Sequence, residues 1–470
     1  MSSYAFPSDR RSFAQALAAF HNEPGLPFAT VLPAGVVEQA FADEEVFFGD
    51  TPRSIFTPAL TLWAFLSQVL EDDKSCRAAV SRVLALRVAT GQEPCSEDTA
   101  AYCRARAKLP ATVLQRLAVQ AGRNLEKQAP KEWLWQGRHV TLVDGTTLTL
   151  PDTPGNQAAY PQLSSQEPGV GFPILRMVVL LALGTACLLD LAYGPYEGKE
   201  TGETALLRRL LADVAPGTIL LADRYYCTYW LVALAQARGL DVVFRMHQLR
   251  DYDFRRGRRL GPDDHVVTWH RPQRPDWMDE ATYATMPLTL TVRELRVSIT
   301  TPGCRTPELI VATTLTDAGA YAKEEVADLY HERWHVEPDI RVIKQTLKME
   351  HLRCLTPFMI DKEIWVHFLG YNLTRKASCQ AALLHEVDPR QVSFTATKQT
   401  LNAARSQLTQ AAAAERVRQS KLLLWQLGTE RVGNRPDRCE PRVVKRRPKP
   451  YKHLRVPRAQ ARARLLAQRE

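Results

Sequence analysis

The chain has 470 residues, 45% of them hydrophobic and 24% charged, with a formal net charge of +10. That length holds about two to four domains with ample core, and the ordinary hydrophobic content argues against a disordered or fibrous protein. The charge is not spread evenly: residues 431–470 hold fourteen Lys or Arg against three acids, so the other 430 residues are close to neutral. A local cationic block of this kind usually meets a polyanion, most often nucleic acid. The bland alternative is a solvated tail, against which Pro, Tyr and His are interleaved with the charges. Nine scattered cysteines without a C-x2-C pair argue against a disulfide framework or a structural zinc site and fit a reducing compartment. The first thirty residues lack a basic start followed by an apolar run, so no signal peptide is expected.

Residues 1 to about 50 are weakly patterned, with short helices expected at Ser12–Phe20 and Val36–Phe41. From Thr57 the pattern is helical, and Thr57-Pro58 is a good helix start. Further helices are expected over Ser75–Ala89, Ser96–Ala107 with Ser96 as cap, and Ala111–Leu125. These carry Arg77, Arg82, Arg87, Arg104, Arg106 and Lys108, which suit a DNA-binding helical domain or a plain charged surface. The chain changes character near Trp133. His139–Val143 reads as a short buried strand running into Asp144-Gly145. Residues 151–171 read as a loop, and 172–183 with 186–192 as a buried hairpin turned at Gly184-Thr185. The apolar run Met177–Leu189 is too short to span a bilayer. A helix over Gly202–Val214 precedes a second buried strand, Thr218–Ala222, which ends at Asp223-Arg224. A helix at Tyr226–Arg238 and a strand at Asp241–Met246 follow. Residues 247–307 are polar, rich in Arg and Pro, and alternate at Leu288–Val297, as a strand-rich insertion would. Glu308–Leu315 restores the strand pattern, a helix begins near Tyr321, and residues 360–427 are helical again.

The most informative stretch is Leu329–Leu347, where Tyr330, Arg333, Glu337 and Lys344 stand in a Y-x2-R-x3-E-x6-K spacing. On one α-helix these residues and Arg341 share a face, while Val326, Leu329, Val336, Ile340, Ile343 and Leu347 fall largely on others. An ordinary solvated face would look similar. Pro338, however, removes a hydrogen bond and clashes with the Trp334 carbonyl. Either the helix kinks there, or a new one begins at Pro338 with Glu337 just before it.

Asp144, Asp223 and Glu337 are the candidate constellation. A single strand-terminal Asp is commonly structural; two of them with a Glu in a cationic stripe are a rarer combination. Hard divalent cations prefer carboxylate oxygens and keep positions open for water and phosphate. Two such ions about 3.5–4 Å apart can activate an attacking oxygen and stabilise a leaving one in phosphodiester cleavage.

VDGTTLTLPDTPGNQAAYPQ around Asp144, LLADRYY around Asp223, the spacing at Tyr330, Arg333, Glu337 and Lys344, and the closing VVKRRPKPY resemble a DDE transposase of the insertion-sequence-four family. The resemblance covers nearly the whole chain. It implies an α/β ribonuclease-H-like core with a β-rich insertion, flanked by an N-terminal all-α domain and a C-terminal helical region with a basic tail. The expected divisions are a helical DNA-binding domain at 1–130, core at 131–246, insertion at 247–307, core with Glu337 at 308–358, and the C-terminal region at 359–470. It further implies that Asp144, Asp223 and Glu337 bind two Mg²⁺ ions, for which Mn²⁺ substitutes. Tyr330, Arg333, Lys344 and Arg224 would hold phosphates, for which a guanidinium and an ammonium are suited. Trp269 or Trp277 would stack on a flipped base, although a Trp in a small β domain is more often core. The expected chemistry is cut-and-paste: hydrolysis at the element ends, a DNA hairpin intermediate, and attack of 3′-hydroxyls on target DNA. The partners are double-stranded DNA, as terminal inverted repeats and target, and a second copy of the chain in a homodimer; no membrane is involved. The implied setting is the bacterial cytoplasm, on the nucleoid. Two other readings share the pattern: a metal-dependent nuclease or resolvase without strand transfer, and a catalytically silent DNA-binding repressor.

Overall fold

The structure, a computed structural model, describes residues 34–49, 51, 54–89, 91–298, 308–410, 412–433 and 454–467. The helix expected at Ser12–Phe20 and most of the basic tail lie outside them. The chain divides into a helical unit, Met1–Trp133, Gly184–Asp190 and Asp339–Val432, and a sheet unit, Leu134–Leu183, Leu191–Pro338 and Gly433–Glu470.

In the helical unit, Thr57 accepts the Leu60 N–H and Pro58 opens the helix Pro58–Leu70, as its sequence demands. The helix expected from Ser96 begins instead at Ala100 and runs to Lys108. The reason is local: Ser96 Oγ accepts the Asp98 N–H and Asp98 Oδ1 accepts the Ala100 N–H, so both side chains close turns ahead of the helix. The 28-residue helix Pro357–Leu384 is the unit's axis, buried almost continuously from Ile360 to Ala382. It packs on Pro58–Leu70, on Ala111–Lys127 and on Ala413–Thr429. Gly370 permits the first contact, because a methyl there would lie 3.0 Å from Leu70 Cδ2. Polar groups along this axis are satisfied. Asn372 Nδ2 donates to the Ala118 and Leu188 carbonyls at 2.9 Å, and its Oδ1 accepts the Leu188 N–H at 2.8 Å.

The sheet unit carries most of a nine-stranded mixed sheet in the order β3-β2-β1-β4-β5-β9-β8-β7-β6. The strands are β1 Val140–Thr149, β2 Ile174–Ala182, β3 Leu188–Pro195, β4 Ile219–Ala222, β5 Asp241–Arg245, β6 Arg258–Gly261, β7 Asp264–His270, β8 Thr289–Ser298 and β9 Glu308–Thr313. β1, β4 and β5 run parallel, and the stretches that pair, Val140–Val143, Ile219–Ala222 and Val242–Phe244, are buried and mostly apolar, as strands covered on both faces are. β2 runs antiparallel to β1, and β9 antiparallel to β5. Three strands, β6 to β8, fall within residues 247–307. They form no separate sheet: β9 pairs with β5 on one side and β8 on the other, which continues the hydrogen-bonded ladder outward. Their core is polar as well as apolar. Arg293 is fully buried and donates to both carboxylate oxygens of Asp264, and Glu294 accepts from the Trp269 indole at 2.8 Å and lies 3.0 Å from His265 Nε2.

Two expectations are corrected. β1 does not end at Asp144 but runs on to Thr149, because β2 continues to pair with it. The helix of the cationic stripe is not one α-helix. Lys323–Glu332 gives way to a 3₁₀ turn over Arg333–His335, then α-helix over Val336–Arg341 and a π turn over Val342–Thr346. Pro338 cannot donate to Trp334, so the α ladder is interrupted before it and restarts with proline in a first turn, where its missing N–H costs little.

Within the helical unit Asp339 is buried and accepts from Arg375 at 2.8 Å and Arg390 at 2.6 Å, while Arg375 also donates to the Tyr371 hydroxyl at 3.0 Å. Removing this carboxylate takes from both buried guanidiniums the acid they share. Asp339→Ala should therefore destabilise this unit by about 3–5 kcal/mol, read as a lower urea midpoint for loss of helical circular dichroism. An unchanged midpoint would mean that the network carries no net stability.

Candidate active site at the ends of β1 and β4

The last parallel pair of β1 and β4 is Val143 with Ala222. Asp144 and Asp223 are the next residues on each strand. They therefore leave the paired region side by side, at roughly the 4.8 Å spacing of adjacent strands. Asp144 Oδ1 accepts the Gly145 N–H at 2.8 Å. Asp223 Oδ1 accepts the Tyr225 N–H at 2.8 Å, which turns the chain out of β4.

A third carboxylate joins them that the sequence pattern did not single out. Glu203 opens the helix Glu203–Leu210, and its Oε2 accepts the Tyr226 O–H at 3.1 Å. A side chain on Gly145 would collide with the Glu203 carboxylate, so residue 145 has no room for a Cβ unless Glu203 moves. The signal available beforehand was slight: an acid in the first turn of a helix is common for dipole reasons alone.

The Asp144 carboxyl is raised to about 6, mainly by burial and also by Asp223 and Glu203, while the Gly145 N–H and the Arg333 guanidinium work against the rise. Glu203 is likewise raised, mainly by burial and also by Asp223, against the Tyr226 hydrogen bond and Arg176. Arg333 is itself buried, and its Nε has no hydrogen-bond partner. Tyr330 is buried beside it, its phenol pushed up to about 12 by desolvation and held back by Arg333 and Arg245.

The remaining candidates lie as follows. Glu337 is half exposed, its Oε1 3.8 Å from Arg333 Nη2. Arg224 is exposed and donates to Gln248. Trp269 is buried, with Arg250 over its ring at 3.8 Å. Trp277 is half-buried, with Arg208 3.7 Å from its ring centre. Lys344 belongs to the helical unit and pairs with Glu350 at 3.4 Å. The structure thus gathers Asp144, Asp223, Glu203 and Arg333. Among the described residues no three His, Cys, Asp or Glu side chains stand close enough to hold a metal ion. The donor chemistry nonetheless fits a hard divalent cation: neighbouring carboxylates raise the proton affinity of Asp144 and of Glu203, and none of Asp144, Asp223 and Glu203 forms a salt bridge among the described residues.

The family model described as the transposase DDE domain matches residues 135–373. The chain belongs to the DDE transposase family. The matched span holds Asp144, Asp223 and Glu337 and all nine strands. The chain is 26% identical over 398 residues to the transposase InsG for insertion sequence element IS4 of Escherichia coli (strain K12), covering 83% of this chain and 86% of that one. It is 27% identical over 147 residues to the putative transposase InsZ of the same organism, covering 27% of this chain and 48% of that one. A solved piggyBac transposase synaptic complex with hairpin DNA aligns over 90% of this chain and 87% of its own at 10% identity, with a TM-score of 0.44. As a DDE transposase the protein carries out DNA transposition, by divalent-metal-dependent DNA cleavage and strand transfer. No helix among the described residues is long and apolar enough to cross a membrane.

The raised Asp144 carboxyl has a consequence for metal-free protein. The folded state binds this proton more tightly than the unfolded chain does, so the group costs stability above about pH 6 and the cost fades as pH falls toward 4. Asp144→Asn should raise the melting temperature in EDTA at pH 7.5, and the gain should shrink at pH 5. An equal gain at both pH values would contradict this account.

Proposed function

We propose that the chain performs cut-and-paste transposition, with Asp144, Asp223 and Glu337 holding two Mg²⁺ ions at the ends of its DNA element. The observation that carries this is the placement of Asp144 and Asp223 one residue past the last β1–β4 pair, with the Arg333 charge reaching Asp144. The strand order β3-β2-β1-β4-β5, antiparallel at β2–β1 and parallel thereafter, supports a ribonuclease-H-like core. We assign that core to 131–246 and 308–358, the β-rich insertion to 247–307, a DNA-binding helical domain to 1–130, and a helical region with a basic tail to 359–470.

The ions, when bound, supply charge to the scissile phosphate and lower the proton affinity of the attacking water or 3′-hydroxyl. The chain's own residues do the rest. Carboxylates bind a metal ion in the ionised form, so the raised proton affinity of Asp144 bears on the pH at which the site loads. Glu337 is the third donor; it is half exposed and held by Arg333 at the edge of an ion-pairing distance, so a small change in its rotamer frees it. Arg333 keeps a buried, unpartnered Nε, which suits a phosphate oxygen. Tyr330 packs against Arg333, and Lys344 and Arg224 supply further cations for the strand. The phosphodiester is cut by in-line attack of water, which releases a 3′-hydroxyl. That hydroxyl attacks a phosphodiester of the opposite strand, which forms the hairpin and releases the flanking strand with a 3′-hydroxyl. A second water opens the hairpin, and the freed 3′-hydroxyl then attacks target DNA. Of the two tryptophans, Trp277 suits base stacking better, because Trp269 is buried and Trp277 is partly exposed. Two copies of the chain would bridge the paired ends, on nucleoid DNA in the bacterial cytoplasm.

Asp223→Asn tests the reading. Mg²⁺-dependent cleavage of DNA bearing the element's own ends should fall on the order of a thousandfold or more, while binding to the same DNA survives in a gel-shift assay. Retained cleavage would remove Asp223 from the site. Joining of pre-cut ends to a target plasmid separates a transposase from a nuclease on the same fold.

A further inference from the structure

Glu203 occupies a position that neither the strand-end aspartates nor the Tyr330–Lys344 spacing accounts for. Its carboxylate fills the space where a Cβ on Gly145 would lie, directly against the backbone that follows Asp144. Its other contact is the Tyr226 hydroxyl, three residues beyond Asp223. One side chain therefore touches the segment after each aspartate. Tyr226 is fully buried and its N–H bonds the Asp223 carbonyl at 3.3 Å, so the phenol is a rigid post rather than a mobile arm. Arg333, whose charge acts on Asp144, is buried with an Nε that has no hydrogen-bond partner among the described residues, a group that a ligand could complete.

We propose that Glu203 is a positioning residue for metal binding: it braces the Asp144 and Asp223 segments against one another and adds its negative charge to theirs. The inference rests on reading Asp144 and Asp223 as metal ligands. The geometry explains two local choices in the sequence. Residue 145 is glycine because the Glu203 carboxylate takes its side-chain space. Residue 226 is tyrosine because the buried phenol reaches the Glu203 carboxylate and holds it there. A carboxylate in this place acts through its charge as well as its shape. Glutamine has the same shape and still accepts the Tyr226 hydrogen bond, so Glu203→Gln isolates the charge.

The experiment is calorimetric titration of the full-length protein with Mn²⁺ alone, without DNA, alongside thermal melts in EDTA. For Glu203→Gln the Mn²⁺ dissociation constant should rise about tenfold or more, with the EDTA melting temperature at or above that of the unaltered chain. Gly145→Ala, which displaces the carboxylate without removing it, should weaken Mn²⁺ binding in the same direction. Glu203→Asp, which keeps the charge but shortens the reach to Tyr226, should fall between the two. Asp144→Asn serves as the reference and should abolish measurable binding. If Asp144→Asn loses Mn²⁺ while Glu203→Gln and Gly145→Ala bind it as the unaltered chain does, the role of Glu203 is overturned and the site stands. If Asp144→Asn also binds normally, the reading of the site fails and this inference goes with it.

Discussion

The constraint on which the site depends is the parallel pairing of β1 with β4, Val140 with Ile219 through Val143 with Ala222. Four buried pairs, three of them apolar on both sides and the fourth Thr141 with Leu220, hold two chain segments nearly 80 residues apart in one register. The register alone decides that Asp144 and Asp223 emerge together. A slip of one residue would turn one aspartate to the other face of the sheet. The burial energy of Leu142, Val143, Leu220 and Leu221 thus holds in place a pair of like charges that would otherwise separate, which is how a hydrophobic core maintains an electrostatically unfavourable site. β2 reinforces this by pairing with β1 on its other side as far as Thr149, so the carboxylate of Asp144 sits on a strand supported beyond the point where β4 has ended.

Around that pair the chain spends its polar residues in two different ways. In the β6–β8 region and at Asp339, buried charges are matched by partners: Arg293 with Asp264, and Asp339 with Arg375 and Arg390. Such networks specify a structure more than they stabilise it. Near Asp144 the matching is incomplete. Asp144 feels the charges of Asp223 and Glu203 and, among the described residues, none of the three forms a salt bridge and Arg333 keeps a buried Nε without a hydrogen-bond partner. Unpaired polar groups cost free energy unless something outside the chain completes them. Under the proposed reading the missing partners are a divalent cation for the carboxylates and a phosphate for the guanidinium.

The break before Pro338 has a structural meaning as well. The α ladder gives way over Arg333–His335 and resumes in Val336–Arg341, so Pro338 lies inside the restarted helix rather than at its break. Glu337 belongs to the sheet unit and Lys344 to the helical unit. A continuous α-helix would have tied Tyr330, Arg333, Glu337 and Lys344 to one rigid stripe. The 3₁₀ and π turns on either side of Val336–Arg341 give the segment a change of pitch within a few residues, a feature often found where a chain does chemistry.

The residues alone determined a good deal of this. Apolar runs with period two or none marked β2, β4, β5, β8 and β9 to within a residue or two, and Thr57-Pro58 marked a helix start, because burial and capping act over a few positions and leave local traces. The acids and cations of the candidate site were legible for the same reason: the spacing of Tyr330, Arg333, Glu337 and Lys344, and an Asp after each of two apolar runs, are short-range patterns. What only the tertiary structure decided were relations between distant segments. That β6–β8 extend the main sheet follows from β9 pairing on both edges, and no spacing in residues 247–307 encodes it. That Glu203 stands against Gly145 depends on a helix start and a strand meeting across 58 positions, and an acid in a helix's first turn looks the same whether it caps a dipole or faces an aspartate. Local sequence carries the preferences of each element; which elements become neighbours is set by burying all of their apolar faces at once, and that is a property of the whole chain.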